Sequence, residues 1–275
     1  MRPFLFKVYW LCVLCCWCLF VNGCEQIDFN PYQVILAPDQ RDLNKKNLAL
    51  IADLPLQPQD TLRFALISDN QRFYDELEEV VKALNTYSDR VKPIHFVINC
   101  GDLTDFGLQE EYIWQLNRTK KLKMPYLAII GNHDCVANGK KIYQVMYGPM
   151  DFTFEIADIK IVLLNTNSLE FDYPIPDINF MRQAMANSHE YRHVFVLTHV
   201  PPFDNDFKKE LKAEFAHLIK NHRVPFSIHG HQHNFRFGQP FNDGQDYLVV
   251  DTIQNRSFII VTVVGNQVSF QKIDF

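Results

Sequence analysis

The sequence predicts an α/β fold with a β-rich end. Three observations predict it. Apolar runs alternate with amphipathic stretches from residue 61 to 130, and further apolar runs stand at 159–164, 194–197 and 226–228. Residues 246–273 then alternate in short β runs.

Leu62-Arg63-Phe64-Ala65-Leu66-Ile67 is the first strand-like run and stops at Ser68-Asp69. Tyr74 to Tyr87 follows as a helix, with Leu77, Val80, Val81 and Leu84 at helical spacing. Ile94 to Ile98 is the second strand and leads to Gly101-Asp102. A helix over 108–121 leads to the third strand, Tyr126 to Ile130, which ends at Gly131-Asn132. Strand, helix, strand, helix, strand implies right-handed βαβ units around buried parallel strands. Residues 25–60 are polar and broken by Pro31, Pro38, Pro55 and Pro58, with one amphipathic stretch at 43–54. They read as a tether that partly packs on the domain.

The chain has 275 residues, 47% of them hydrophobic and 21% charged, which excludes a disordered or collagen-like chain. Its net charge of −5 disfavours a broad nucleic-acid surface, which needs a basic patch. Five of the seven cysteines crowd into the first 24 residues, so they are not a disulfide framework. Arg2 and Lys7 precede an uncharged run from Val8 to Val21, shorter than the roughly 20 apolar residues of a spanning helix. That is the shape of a signal peptide over residues 1–23. Val21-Asn22-Gly23-Cys24 resembles a bacterial lipobox, which makes Cys24 the expected lipid anchor to a membrane. Glu25 then leans, by resemblance to sorting patterns, toward the outer membrane of a bacterial envelope. A plain secretory signal, giving a secreted or periplasmic protein, is the alternative. The expected organisation is 1–23 signal peptide, 24–60 anchor and tether, 61–275 domain. Removing residues 1–23 takes away Arg2 and Lys7 and no acid, so the charge moves from −5 to −7.

In an open α/β sheet, ligands bind beyond the carboxyl ends of the strands. Here those ends carry Asp69-Asn70-Gln71, Gly101-Asp102-Leu103-Thr104-Asp105, Gly131-Asn132-His133-Asp134, Thr198-His199 and His229-Gly230-His231-Gln232-His233. Each alone is an ordinary turn or capping sequence. Together they deliver imidazole, carboxylate and amide groups to one pole, a mixture that suits Mn, Fe or Zn. His231 and His233, two apart, fall on one side of an extended backbone. Cys100 and Cys135, beside these motifs, read as packing thiols. His189, His193, His217 and His222 fall in no motif and read as surface groups.

In this order the motifs resemble those of the calcineurin-like metallophosphoesterases, over residues 61–240. The family usually has His where this chain has Gln71. The resemblance implies a two-sheet mixed β sandwich flanked by helices and two divalent metal ions. Carried over position by position, Asp102 bridges both ions, Asp69, Gln71 and His233 complete the first site, and Asn132, His199 and His231 the second. His133 is the general acid, oriented by Asp105, and a bridging hydroxide attacks a small phosphate-ester substrate, monoester or diester. Arg72 is a further phosphate contact or a surface ion pair. The ions are Mn, Fe or Zn, with Mg or Ca possible at the Gln71 site because an amide oxygen is neutral and harder than imidazole. A one-metal enzyme, or a catalytically silent metal- or ligand-binding module on the same fold, is the competing expectation.

Overall fold

The computed structural model describes residues 33–275, so the signal segment and Cys24 lie outside the described residues. From Leu36 to Phe275 the chain forms one compact unit. Among the described residues no helix is long and apolar enough to cross a membrane.

Two mixed sheets face each other. The first runs β11-β10-β1-β2-β3, with β1 Leu62–Ile67, β2 Phe96–Asn99, β3 Tyr126–Ala128, β10 Ser257–Val264 and β11 Gln267–Asp274. The second runs β4-β5-β6-β7-β9-β8, with β4 Phe152–Ile156, β5 Ile159–Leu164, β6 His193–Thr198, β7 Phe226–His229, β8 Arg236–Gly238 and β9 Asp246–Val249. β1, β2 and β3 are parallel to one another, and so are β5, β6, β7 and β9. Antiparallel neighbours close the ladders at β10, β4 and β8.

The apolar runs lack alternation because the strands are covered on both faces. On β5 and β6, Ile161, Leu163, Phe195 and Leu197 point between the sheets. Their neighbours Val162, Leu164, Val194 and Val196 point outward, under α5 (Ile178–Met185) and α6 (Lys212–Asn221). Across the sandwich, Phe64 stacks on Phe96 at 5.4 Å and meets Phe195 edge-on at 5.3 Å. On the other side of the first sheet, α2 (Tyr74–Arg90) buries Leu77, Val80, Val81 and Leu84 as its spacing requires. Asp75 and Glu76 in its first turn and Arg90 in its last complement the helix dipole.

The segment before residue 61 does more than tether. α1 (Leu43–Ala52) lies along β3, an edge strand whose outward backbone groups need partners. Asn44, 2% exposed, accepts from the Ala128 amide at 3.0 Å and donates to its carbonyl at 2.9 Å. Asn47 accepts from the Tyr126 amide at 3.0 Å. α3 (Gln109–Thr119) and α4 (Gly139–Met146) complete the set. His193 and His222 are half-buried rather than surface groups, the latter with Nδ1 2.8 Å from Ser188 Oγ.

Candidate metal centre

The strand ends of both sheets converge at one edge of the sandwich. Asp69 and Gln71 follow β1, Asp102 and Asp105 follow β2, Asn132 and His133 follow β3, His199 follows β6, and His231 and His233 follow β7. The backbone is strained there. Of twelve non-glycine residues with positive φ among those described, five are Asp69, Gln71, Asp102, His231 and His233. Each such conformation costs on the order of 1–3 kcal/mol and persists only where its surroundings enforce it. Here they do so through the amides. Asp69 donates to the Gly101 carbonyl at 3.0 Å and Gln71 to the Asp102 carbonyl at 2.9 Å. The His231 amide donates to the Asp69 carboxylate at 3.1 Å. The strand ends also sit too close for side chains: a Cβ on Gly101 would stand 2.4 Å from the His199 ring.

Proposed first-site groups lie together. Asp69, Asp102 and His233 present ligand atoms within 4.8 Å of one another, and His233 Nε2 is 3.3 Å from Asp69 Oδ1. Asp69 and Asp102 are buried, whereas the His233 side chain is 40% exposed. Gln71 is buried beside them and presents its amide nitrogen, a donor, to Asp102 Oδ2 at 3.3 Å.

Second-site groups meet at one atom. Asn132 Oδ1 lies 3.0 Å from His199 Nε2 and 3.0 Å from His231 Nδ1. His199 Nε2 is also 3.3 Å from Asp102 Oδ1. The opposite nitrogen of His199, Nδ1, donates to the Cys100 carbonyl at 2.7 Å, which fixes the tautomer. In the neutral ring Nε2 is then a lone pair facing two oxygen lone pairs. Acceptors at such distances need a cation or a proton between them. Burial works against charge on His199, but Asp102 beside it raises the ring to about 9. Burial alone would raise Asp102, and His199 instead holds that carboxylate below its ordinary range. Burial and the neighbouring His199 push His231 down, while the bond to Asp69 pushes His233 up. A divalent ion would replace the proton with more charge, and this donor set of carboxylate, imidazole and amide oxygen fits one.

The candidate acid stands at the rim. His133 is 36% exposed on its side chain. Its Nδ1 lies 2.9 Å from the Asp105 carbonyl and 3.4 Å from Asp105 Oδ1. Arg72 holds the other carboxylate oxygen of Asp105 at 3.5 Å, so its partner is an ion pair. Cys100 and Cys135 are buried packing thiols.

Three residues to which the sequence assigns no role support the centre. Asp134 is buried and accepts from the amides of Gly131, Leu103 and Thr104 and from Thr104 Oγ1, at 2.8–3.1 Å. It ties the turn after β2 to the turn after β3, and burial beside Asp102 pushes its carboxyl up to about 7 against those four bonds. Asp204 and Asp206, from the loop after β6, face the outer nitrogen of His231 at 3.7 and 3.4 Å. Asp134 stands inside a motif already noticed. The Asp204 pair carries no such signal, because a returning loop brings it across.

The profile of the calcineurin-like phosphoesterase family matches residues 62–235. A probable cyclic nucleotide phosphodiesterase of Xenorhabdus bovienii is 25% identical over 175 residues, 59% of this chain and 70% of that protein. A probable cyclic nucleotide phosphodiesterase of Moraxella catarrhalis is 25% identical over 158 residues, half of this chain and 55% of that one. Among solved structures, the purple acid phosphatase PPD1 of yellow lupin superposes with a TM-score of 0.60 at 14% identity, covering 79% of this chain and 52% of its own.

Proposed function

The chain belongs to the calcineurin-like phosphoesterase family and is a hydrolase of the metallophosphoesterase class, and on that premise we propose that it cleaves a phosphate ester at a dinuclear centre. Asp69, Gln71, Asp102 and His233 would hold one divalent ion, and Asp102, Asn132, His199 and His231 the other. Such a pair, when bound, acidifies water and stabilises charge on the attacking and leaving oxygens. The chain's residues do the rest. Asp102 is reached from both halves and joins them. His133 keeps Nδ1 against the Asp105 carbonyl, which leaves Nε2 to hand a proton to the leaving oxygen. The Asp105 carboxylate steadies that ring, and Arg72 steadies Asp105. The observation that carries the reading is the convergence of two imidazole nitrogens, His199 Nε2 and His231 Nδ1, on Asn132 Oδ1, each at 3.0 Å.

A phosphodiester is the substrate class to try first, because both curated relatives are named probable cyclic nucleotide phosphodiesterases. The test is Mn-dependent turnover of bis(p-nitrophenyl) phosphate, p-nitrophenyl phosphate and 3′,5′-cyclic nucleotides. His133→Ala should lower kcat by about 10²–10⁴-fold, the usual worth of a general acid. No metal-dependent turnover, with wild type and His133→Ala equal, would favour a silent module, a reading that Gln71 donating to Asp102 supports. The proposal extends to location: a lipid on Cys24 would hold the domain at a bacterial envelope. Mass spectrometry of the membrane fraction tests this, and an unmodified Cys24 rejects it.

A further inference from the structure

His231 uses its two nitrogens differently. Nδ1 faces the centre through Asn132 Oδ1 at 3.0 Å. Nε2 faces away, toward Asp206 Oδ2 at 3.4 Å and Asp204 Oδ1 at 3.7 Å. The Asp204 carboxylate is itself held. Gln232, the residue after His231, donates to Asp204 Oδ2 at 3.0 Å. The Asp206 amide donates to Asp204 Oδ1 at 3.1 Å, and Lys212 Nζ donates to the Asp204 carbonyl. The loop after β6 is therefore fastened to Gln232, the residue beside the ring it faces, and to the start of α6.

We propose that Asp204 and Asp206 are positioning residues that keep the proton of His231 on Nε2 and so leave the Nδ1 lone pair for a metal ion. The inference rests on the dinuclear reading above. An imidazole without a partner on its outer nitrogen divides between two tautomers, only one of which offers Nδ1 to the centre. A carboxylate on the outer N–H selects that tautomer, aims the ring and raises its basicity as a ligand. His199 has the same arrangement with other parts, since the Cys100 carbonyl takes its outer proton. His231 stands on the strained turn after β7, where no backbone carbonyl faces its outer nitrogen among the hydrogen bonds described, and the loop after β6 supplies side chains instead. The ligand atoms of Asp204, Asp206 and His231 lie within 4.8 Å of one another, so a third cation among them is the competing arrangement.

The experiment is Mn²⁺ calorimetry on the full chain, with two double variants. One is Asp204→Ala with Asp206→Ala, and the other is Asp204→Asn with Asp206→Asn. The alanine pair should weaken one of two Mn²⁺ ions by about 10–100-fold, the usual effect of removing an outer partner. The asparagine pair should recover most of that loss, because an amide oxygen still accepts the Nε2 proton. Two-bond ¹⁵N–¹H spectra of the metal-free protein at pH 8 should give His231 as the Nε2–H form in wild type and a mixture in the alanine pair. If circular dichroism finds the alanine pair unfolded, the asparagine pair and the wild-type tautomer decide: an Nδ1–H tautomer in wild type overturns the inference. Unchanged affinity for both ions in a folded alanine pair overturns it, as does a third bound ion in wild type. A wild type that binds no Mn²⁺ overturns the functional reading and this inference with it.

Discussion

Replacing Gly101 by alanine should damage the centre without touching a ligand, and Gly148 supplies the control. Both have nearly the same left-handed backbone, φ +101° and +104°. Both alanine variants therefore carry backbone strain on the order of 1–3 kcal/mol. They differ in what the new methyl meets. At Gly148 nothing lies within 4 Å, whereas at Gly101 it would stand 2.4 Å from His199 Nδ1 and 2.7 Å from Cγ. Ordinary contact begins near 3.4 Å, so the ring or the turn must move by about 1 Å. His199 is fully buried and bonded to the Cys100 carbonyl at 2.7 Å, so it has nowhere to go without losing that bond. Overpacking of this kind adds about 1–3 kcal/mol. Urea unfolding of the metal-free proteins at constant m-value should find Gly101→Ala less stable than Gly148→Ala by that margin. Calorimetry should find Mn²⁺ binding about 10–100-fold weaker in Gly101→Ala and unchanged in Gly148→Ala. Equal stability and equal Mn²⁺ affinity in the two variants would refute the claim that the Gly101 approach positions His199.

Gln71→His should raise the affinity of the weaker Mn²⁺ site by roughly tenfold or more, since imidazole is the better ligand, and metal counting at limiting Mn²⁺ reads the change. Asn44→Ala should cost about 2 kcal/mol, because the buried Ala128 amide loses its acceptor while the Ala128 carbonyl keeps the Tyr143 hydroxyl. Thermal unfolding should then drop by roughly 4–8 °C; no drop would return α1 to the status of a tether. Burial pushes the Asp151 carboxyl up to about 6, so the folded chain keeps that proton where the unfolded chain, at about 3.9, has lost it. The stabilisation is full below about pH 4 and disappears as pH rises through 6, a loss of at most roughly 3 kcal/mol. Asp151→Asn, which can still accept from the Asn165 amide, should remove that slope in urea unfolding from pH 4 to 7.

The proposed ligands were legible because each sits where an apolar run stops, and the run itself locates the strand end. Asp69, Asp102, Asn132, His199 and the His231–His233 pair stand close together for that reason alone. The two-sheet sandwich was legible only through the resemblance, since periodicity does not say which strands share a sheet. What stayed hidden depends on contacts between distant segments. Asn44 meets Ala128 across 84 positions, and a polar, proline-broken segment gives no sign that its asparagines finish a sheet edge. Asp204 and Asp206 look like loop acids until the loop folds back on His231. Asp134 looks like one more ligand, yet it faces inward to four donors and braces the turns that carry Asp102 and His133.

The two halves of the centre are built to different standards, and this bears on how it would load. In the half formed by Asn132, His199 and His231, the outer nitrogen of His199 is bonded to the Cys100 carbonyl, and that of His231 faces Asp206 and Asp204 at 3.4 and 3.7 Å. Their inner nitrogens already stand 3.0 Å from the same oxygen, so an ion entering there has little to reorganise. In the other half, His233 is 40% exposed and meets Asp69 with Nε2, the nitrogen that points toward the centre. Gln71 turns a donor toward Asp102, which would have to rotate before its oxygen could bind an ion. A site whose ligands need turning binds more weakly than one whose ligands are fixed, because the ordering cost falls on the ion. On the dinuclear reading, an ion held by Asn132, His199 and His231 would enter first and stay, and an ion beside Gln71 would come and go with the free concentration. Activity should therefore rise with Mn²⁺ well beyond the point at which the first ion has bound.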